Sequence, residues 1–323
     1  MSKRYFALCA AVALTVTAAS GRAQEAAEID ILRVVVGQPG MWSASAPAIG
    51  QKAGIFRKHG LALDLVDASS LGRPTHAVAS GSADLGIGVG TAVVLRAYSK
   101  GAPVRVIGAN FTGGGDLYWY VRADSPIKRL DDVSDKTTIG FSATGSSSYH
   151  VVLAFIRELR LRGLPTATGN QRATLTQVMS GQVDVGWAAP PFGLKEVSEG
   201  KIRVIANGND VPTLRTQTVR VDIVNANALK IRNDPIMRFV RAYRETLDWM
   251  FTSPQAVEIY AKEFKVAPDL VTMTRDKFET REAMQNDRVS DLDAVMANAV
   301  ALKFLDRPLS KQQVADLVQI PPL

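Results

Sequence analysis

Short apolar runs alternate with stretches of helical spacing along the first third of the chain. The apolar runs lie at residues 32–36, 61–66, 85–89 and 104–109. Between the first two runs, Ile49, Ile55 and Phe56 recur at helical spacing over residues 46–59, and Gly60 ends that helix. Such alternation predicts an α/β fold built on an open, mainly parallel sheet with helices on both faces.

A second series of strands and helices follows in the middle of the chain. It predicts strands at residues 138–142 and 183–188 around a helix at residues 147–162. Residues 216–224 then form an extended run, after which the sequence is almost entirely helical. The predicted helices cover residues 235–251, 254–264, 268–278, 291–304 and 310–317, each opened by proline, aspartate or serine.

One short phrase occurs twice in the chain. Residues 80–86 read SGSADLG and residues 180–186 read SGQVDVG, each after a helical stretch and before a small-residue loop. A helix that ends at glycine and continues as Asp and a short strand is a common αβ unit, so coincidence is the alternative. Two copies favour two similar lobes that face one cleft.

The pattern divides the chain into two lobes joined by two crossings, near residues 113–120 and 216–224. The first lobe is predicted to comprise residues 28–115 and 220–323, and the second residues 116–219. Three consecutive glycines at 113–115 give backbone freedom beside the first crossing, and they are interpreted either as a hinge or as an ordinary loop.

The N-terminal segment is typical of an export signal. Two basic residues precede an apolar run at residues 5–19, and Gly21 and Ala23 fit the small-residue pattern of a cleavage site. We therefore expect residues 1–23 to be removed as a signal peptide, the mature chain to begin near Gln24, and the protein to act in the periplasm. The apolar run is short for a membrane span, and a retained anchor is the alternative.

Cysteine usage and charge exclude several classes of function. The only cysteine, Cys9, lies inside the signal, so the exported chain would lack disulfides, thiolate metal ligands and cysteine nucleophiles. The net charge of +7 falls to +4 without Lys3, Arg4 and Arg22 of the signal. No basic stripe with interleaved aromatic residues occurs, so nucleic acid is not expected as a partner. The remaining positive charge is compatible with an anionic small ligand.

The best candidate for a ligand loop is residues 140–149, where a strand ends and a long helix begins. A helix N-terminus leaves up to four N–H groups unpaired and carries partial positive charge, so a carboxylate, sulfonate or phosphate binds there without a lysine. Simple N-capping by one of the serines is the alternative. The candidate residues of this loop are Thr144, Gly145, Ser146, Ser147 and Ser148.

Other candidates follow other strands, at the sheet edge where open α/β sheets bind their ligands. They are Trp42, Ser43, Ser70, Gly90, Thr91, Trp187 and Pro190. An indole in a small-residue loop suits stacking on a ligand, while core packing is the alternative for each tryptophan. Arg73 and Arg172 offer a planar fork for an anion, although a solvated arginine at a helix start is the simpler interpretation.

Signals for catalysis are weak. His59, His76 and His150 are scattered without the spacing of metal ligands, and neither a Gly-x-Ser-x-Gly elbow nor a phosphate loop occurs. We therefore expect a binding protein rather than an enzyme, with no catalytic residue, no metal and no cofactor.

Six segments in chain order resemble the solute-binding proteins of ABC importers. The similarity is to the nitrate/sulfonate/taurine type, which also includes carriers of thiamine-pyrimidine precursors. The segments are 53–61 (AGIFRKHGL), 79–86 (ASGSADLG), 100–104 (KGAPV), 121–127 (VRADSPI), 139–146 (IGFSATGS) and 180–185 (SGQVDV). They extend over nearly the whole mature chain but do not identify the ligand.

The resemblance implies a two-lobed periplasmic-binding fold of type II, with two crossings. Such a protein closes on one small molecule and delivers it to a membrane permease driven by an ATPase. The resemblance also implies that the loops with Trp42 and Ser43, Ser70, Gly90 and Thr91, residues 144–148 and residues 187–190 hold the ligand.

Bulky apolar surface at Trp42 and Trp187 departs from a taurine or nitrate site. This departure favours a larger organic anion, a sulfonate or a carboxylate, as the solute. The protein is expected to act as a monomer. The alternatives are an enzyme on the same fold that acts on a small metabolite and a ligand-sensing ectodomain.

Overall fold

The computed structural model describes residues 29–37, 40–67 and 73–322. The predicted export signal and the candidate residue Ser70 lie outside these described residues. No helix in the described part of the chain carries a stretch long and apolar enough to cross a bilayer.

The described strands form one large sheet and two smaller sheets. They are β1 (Asp30–Val36), β2 (Leu61–Asp67), β3 (Leu85–Gly90), β4 (Val104–Thr112), β5 (Tyr118–Arg122), β6 (Thr138–Phe141), β7 (Leu164–Ala167), β8 (Gly186–Ala188), β9 (Ile202–Asn207) and β10 (Thr218–Asn225). The large sheet has the order β2-β1-β3-β10-β4. β1 is parallel to β2 and β3, whereas β10 is antiparallel to β3 and β4. The prediction of an open, mainly parallel α/β sheet is confirmed.

One of the smaller sheets is built around β5, which is antiparallel to both β8 and β9. β6 and β7 form a parallel pair, and a single bridge between Ile139 and Val185 connects this pair to the segment before β8. The chain therefore leaves the large sheet between β4 and β5 and returns to it between β9 and β10. The two predicted crossings are confirmed, and β10 is reversed because it brings the chain back from the second region.

The helices cover both faces of the large sheet and continue to the C-terminal region. They are α1 (Ala46–Lys52), α2 (Ile55–Lys58), α3 (Pro74–Ala79), α4 (Thr91–Ser99), α5 (Ser147–Glu158), α6 (Gln171–Met179), α7 (Leu194–Ser198), α8 (Ala226–Ile231), α9 (Asn233–Thr252), α10 (Pro254–Phe264), α11 (Pro268–Met273), α12 (Leu292–Ala301) and α13 (Lys311–Leu317). The predicted helix at 46–59 is interrupted at Gly54, whose φ of 79° is left-handed. The predicted helix at 268–278 changes after Met273 into a π-helical turn, Thr274–Phe278.

The repeated phrase has the same geometry in both regions. Gly81 and Gly181 follow the ends of α3 and α6 with φ of 78° and 76°. Three residues later, Asp84 accepts a backbone N–H from β1 at 2.8 Å, and Asp184 accepts one from β6 at 2.8 Å. The two αβ units are therefore built alike, and β1-α1-β2 corresponds to β6-α5-β7.

Two glycines bring the crossings into close contact. A Cβ at Gly208 would lie 2.4 Å from the carbonyl oxygen of Gly114, and a Cβ at Gly114 would lie 3.0 Å from the backbone of Gly208. The second glycine of the 113–115 triplet is therefore required for close backbone approach, a steric role that the sequence did not indicate.

Candidate functional site

A cavity lies between the large sheet and the smaller sheets. The volume available inside it to the centres of water molecules is about 70 Å³. This is enough for roughly five waters or one small organic molecule. Its wall combines the start of α4, most of the length of α5, part of α12 and residues of both crossings. Among the predicted site residues, Gly90, Thr91, Gly145 and Ser147 line it. The structure thus brings together loops that lie far apart in the sequence.

The loop before α5 is both a helix cap and part of the cavity wall. Ser146 is the N-cap residue, and its hydroxyl accepts the N–H of Tyr149 at 3.1 Å. Ser148 is buried and its hydroxyl accepts the N–H of Ser142 at 3.0 Å, while Thr144 is exposed. Capping therefore explains Ser146 and Ser148, whereas Gly145 and Ser147 border the cavity.

Thr91 connects the first region to the second crossing. Its hydroxyl donates to the carbonyl oxygen of Thr218 at 2.7 Å, and its side chain is 4% exposed. Gly90 precedes it as the N-cap of α4 and is half-buried. These two residues lie at the carboxyl end of β3, as the fold class predicts for a ligand site.

A row of hydrogen-bonded polar side chains forms one side of the cavity. Arg157 donates to the side-chain oxygen of Asn298 at 3.0 Å, and Asn298 donates to Gln217 at 3.2 Å. All three residues line the cavity together with His150. Burial lowers the pKa of His150 to about 4, so its imidazole is neutral at pH 7.

A buried ion pair lies at the crossings. Asp116 follows the glycine triplet and pairs with Arg220 of β10, and their side chains are 0% and 4% exposed. The Arg220 guanidinium also lies 4.6 Å from the centre of the Phe111 ring. Burial raises the pKa of Asp116, while the positive charge of Arg220 acts in the opposite direction.

Both partners of this pair keep one atom without a hydrogen bond. Within the described ranges, neither Oδ1 of Asp116 nor Nη1 of Arg220 has a partner. Asp116 lines the cavity, so this charge pair borders the space between the sheets. The sequence interpretation missed it, although charged residues at alternate positions of a strand-like run at 216–224 are a signal for function.

Glu279 fills the loop that follows β1. Its side chain is fully buried, and its two carboxylate oxygens accept the N–H of Trp42 at 3.2 Å and of Ser43 at 2.6 Å. Burial raises the pKa of Glu279 to about 7, and the nearby charge of Asp116 adds to this effect. Sequence reasoning missed Glu279 because nothing near position 279 marks it as a partner of residues at 42 and 43.

A third buried carboxyl group, Asp222, lies on the same strand as Arg220. It accepts hydrogen bonds from the N–H of Gly88 at 3.0 Å, from Asn110 at 3.0 Å and from Asn286 at 3.1 Å. Burial raises its pKa to about 7 against the effect of these donors. The site region therefore contains three buried carboxyl groups and one buried guanidinium.

Trp42 does not line the cavity. Its side chain is 0% exposed, and its ring packs against Phe251 and Tyr260 with centroid distances of 6.2 and 5.2 Å. In this structure the indole has the core position that was the alternative, and its contact with a ligand stays a prediction.

The remaining candidates lie in or near the second core. Trp187 is 4% exposed and pairs across β5 and β8 with Trp119, in an apolar cluster that includes Leu117 and Val151 of the cavity wall. Pro190 is buried and precedes a cis peptide bond to Pro191.

The two candidate arginines do not line the cavity. Arg73 and Arg172 are exposed, as expected for solvated helix-start residues. No group of three or more His, Cys, Asp or Glu side chains among the residues described here has a metal-binding arrangement.

Comparison with known proteins gives matches of fold and family. The alkanesulfonate-binding protein SsuA from Xanthomonas axonopodis pv. citri, bound to MOPS, has 19% identity and a TM-score of 0.70 over 92% of this chain and 100% of its own. The periplasmic aliphatic sulphonate-binding protein SsuA from Escherichia coli has 18% identity and a TM-score of 0.70 over 91% of this chain and 93% of its own. The desulfurization enzyme DSZB has 17% identity and a TM-score of 0.64 over 90% of this chain and 96% of its own.

Among curated protein sequences, none gives a significant match to this chain. The family model described as NMT1/THI5 like matches residues 46–257, more than half of the 323 residues. The solved structures above share the periplasmic-binding fold over nearly the whole described chain. The predicted fold class and family resemblance are therefore confirmed, and the chain belongs to the NMT1/THI5-like family.

Proposed function

We propose that this chain is the extracytoplasmic solute-binding component of an ABC-type importer. Two lobes close on one small organic anion, a sulfonate or a carboxylate, and the loaded protein delivers it to a membrane permease driven by an ATPase. The family match and the sulfonate-binding proteins of the same fold support this class of function. The observation that carries the proposal is the cavity whose wall combines residues of both sheet regions.

The proposed lobes are residues 28–115 with 220–323, and residues 116–219. Their support is that the large sheet, apart from the first two residues of β10, belongs to the first set of residues and the smaller sheets to the second. α11 adds a contact across this division, because Leu270 and Met273 pack against the core around Tyr118. Opening of the cleft must therefore break this contact or move α11 together with the second lobe.

A solute held by both lobes stabilises the closed arrangement by the difference between its affinities for the closed and open forms. Moving the population from almost all open to almost all closed requires a difference of about 5.5 kcal/mol. A cavity with walls from α4, α5, α12 and both crossings allows one small molecule to contact all of these elements at once. This geometry supports a solute-driven closure.

Two features of the cavity region favour an anionic group. The start of α5, at Ser147, carries the partial positive charge of a helix N-terminus. Arg157 on the same helix also lines the cavity and brings a guanidinium to it. We assign the anionic end of the solute to the α5 side of the cavity.

The proposed location is the periplasm, and the proposed state is a monomer. The support for export is the basic start, the apolar run and the small residues within residues 1–23. Size-exclusion chromatography with light scattering of the exported protein tests the monomer. N-terminal sequencing of the same sample tests cleavage near Gln24.

Identification of the solute is the first test. Mass spectrometry of small molecules that co-purify with the protein names candidates, and a thermal-shift panel of sulfonates, aromatic carboxylates and pyrimidines ranks them. We expect one class to raise the midpoint of thermal unfolding and to reduce the radius of gyration in small-angle scattering. An unchanged envelope and unchanged midpoint across the whole panel would contradict the proposal.

A cavity-filling variant tests the location of the site. Ser147→Phe places a ring in the cavity without removing the cap at Ser146, so solute affinity should fall at least about tenfold while unfolding changes little. Thr144→Phe is the matched control, because Thr144 is exposed on the same loop and does not line the cavity. Equal solute affinities of the two variants would mean that the solute binds outside this cavity.

An enzyme is the second candidate function, favoured by the shared fold with the desulfurization enzyme DSZB. Its test is incubation of the purified protein with any solute that the panel identifies, followed by mass spectrometry of the mixture. Conversion of the solute would support catalysis, and recovery of the unchanged solute would support the binding protein.

A further inference from the structure

Five residues at the edge of the cavity form a closed ring of hydrogen bonds. Nη2 of Arg157 donates to Oε1 of Glu158 at 2.7 Å and to Oδ1 of Asn298 at 3.0 Å. Nδ2 of Asn298 donates to Oε1 of Gln217 at 3.2 Å, and Nε2 of Gln217 donates to the carbonyl oxygen of Thr213 at 2.8 Å. The hydroxyl of Thr213 closes the ring by donating to Oε2 of Glu158 at 2.6 Å. Each member is therefore held by two neighbours.

One member of the ring comes from the other side of the proposed division between the lobes. Asn298 lies on α12, in the first proposed lobe, whereas the other four members lie within residues 116–219. The hydrogen bond between Arg157 and Asn298 therefore spans the cleft, and it exists only while the two lobes are together.

A second contact holds α12 beside α5. The ring of Phe304, three residues beyond the end of α12, lies edge-on to the ring of His150 with centroids 4.8 Å apart. A Cβ at Gly145 would lie 3.2 Å from the same phenyl ring. The C-terminal part of α12 and the residues after it therefore contact α5 at both of its ends, so the bond to Asn298 belongs to a longer contact between the lobes.

The ring fixes the guanidinium of Arg157 through one nitrogen and leaves the others available. Within the described ranges, Nη2 makes both hydrogen bonds of this side chain, and neither Nε nor Nη1 has a protein acceptor. Arg157 lines the cavity and its side chain is 43% exposed, so a solute can reach these N–H groups. A guanidinium that is already oriented loses less rotamer freedom when it binds an anion. The ring therefore favours an anion at Arg157.

We infer that Asn298 is a positioning residue, which holds the Arg157 guanidinium in place for the anionic end of the solute and does so only in the closed form. The inference rests on the proposed function, because it concerns the solute and the closure of that same cleft. Anion binding and closure then reinforce each other, since one lobe supplies the guanidinium and the other supplies the side chain that orients it.

A double-variant cycle tests this role. Isothermal titration measures the affinity for butane-1-sulfonate of the wild-type protein, Asn298→Ala, Arg157→Met and the double variant. We expect Asn298→Ala to lower the affinity about tenfold in the wild-type background and less than about twofold in the Arg157→Met background, because Asn298 acts through Arg157. Equal losses in the two backgrounds would show that Asn298 acts independently of Arg157 and overturn the inference.

Asn227→Ala is the matched control. Asn227 is an exposed asparagine on α8 that does not line the cavity, so its replacement should leave the affinity unchanged. A loss in Asn227→Ala equal to that in Asn298→Ala overturns the inference. An unchanged affinity in Asn298→Ala, or a wild-type protein that does not bind butane-1-sulfonate, overturns it as well.

A second readout decides the question when the Arg157→Met proteins bind too weakly for calorimetry. The Nε–H group of Arg157, observed by NMR in the presence of saturating butane-1-sulfonate, should have a high order parameter in the wild-type protein and a clearly lower one in Asn298→Ala. Equal order parameters in the two proteins overturn the inference. Failure of the proposed function is a separate result, because it appears as a wild-type protein that binds no member of the wider solute panel.

Discussion

Two loops at corresponding positions of the repeated unit have opposite environments. The 41–45 loop follows β1 and the 144–148 loop follows β6, and the sequence favours both as ligand loops. The first is filled by the Glu279 carboxylate, whereas the second borders the cavity at Gly145 and Ser147. The same backbone arrangement is thus hydrogen-bonded to a buried side chain in one region and forms part of a candidate site in the other. The difference depends on the distant side chain of Glu279.

The largest effect is expected at the ion pair that connects the two crossings between these loops. Arg220→Ala leaves the buried carboxylate of Asp116 without its partner and should lower the free energy of unfolding by about 3–5 kcal/mol in urea titrations. The double variant with Asp116→Ala should recover part of that loss, because the unpaired charge is gone. A loss below about 1 kcal/mol in the single variant would show that the pair is not desolvated as described.

The next largest effect is expected in the pH dependence of stability, which tests the buried carboxyl of Glu279 in the 41–45 loop. The folded-state pKa of Glu279, about 7, lies above its ordinary value of 4.5, so the folded protein retains the proton longer than the unfolded chain. The stability from this group is therefore fully present below pH 4.5 and is lost as pH rises to 7, by roughly 3 kcal/mol.

Because Asp222 titrates in the same window and direction, the measurement is the difference between wild type and Glu279→Gln. Urea titrations at pH 5, 6, 7 and 8 should give a shallower decline for the variant than for the wild-type protein. Glu258→Gln, an exposed control, should follow the wild type. Parallel profiles for all three proteins would contradict a raised pKa at Glu279.

Removal of the internal acceptor is expected to have a smaller effect. Glu279→Ala leaves the buried N–H groups of Trp42 and Ser43 without an acceptor and should lower the free energy of unfolding by about 2 kcal/mol at pH 7. Glu279→Gln keeps an amide oxygen for one of them and should lose less. Equal losses in the two variants would mean that packing, not the hydrogen bonds, fixes this side chain.

The smallest effect is expected in the loop that borders the cavity. Ser146→Ala removes the N-cap of α5 and should lower the free energy of unfolding by about 1 kcal/mol. Thr144→Ala, at an exposed position of the same loop, should change it by less than about 0.5 kcal/mol. A Ser146→Ala loss as large as that of Glu279→Ala would remove the contrast between the two loops.

Much of the fold and part of the candidate site were predictable from the sequence, because they depend on local patterns. Apolar periodicity predicts the strands and helices, and the Gly81 and Gly181 phrases end their helices in the same left-handed conformation. The serine-rich 144–148 loop predicts a helix start, and in the structure that start lies beside the cavity. Proline is favoured in the first turn of a helix, and α10 and α11 begin at Pro254 and Pro268.

The partners of the buried charges were decided only by the tertiary structure. Asp116 and Arg220 are 104 positions apart, and Ser43 and Glu279 are 236 apart. Local patterns in a sequence do not show which distant residues pair, so the sequence left Trp42 open between a ligand contact and the core. The sequence determined which loops end strands and open helices; only folding decided which loop is filled by the chain's own carboxylate and which faces the cavity, because burial and electrostatic pairing depend on residues brought together from distant positions.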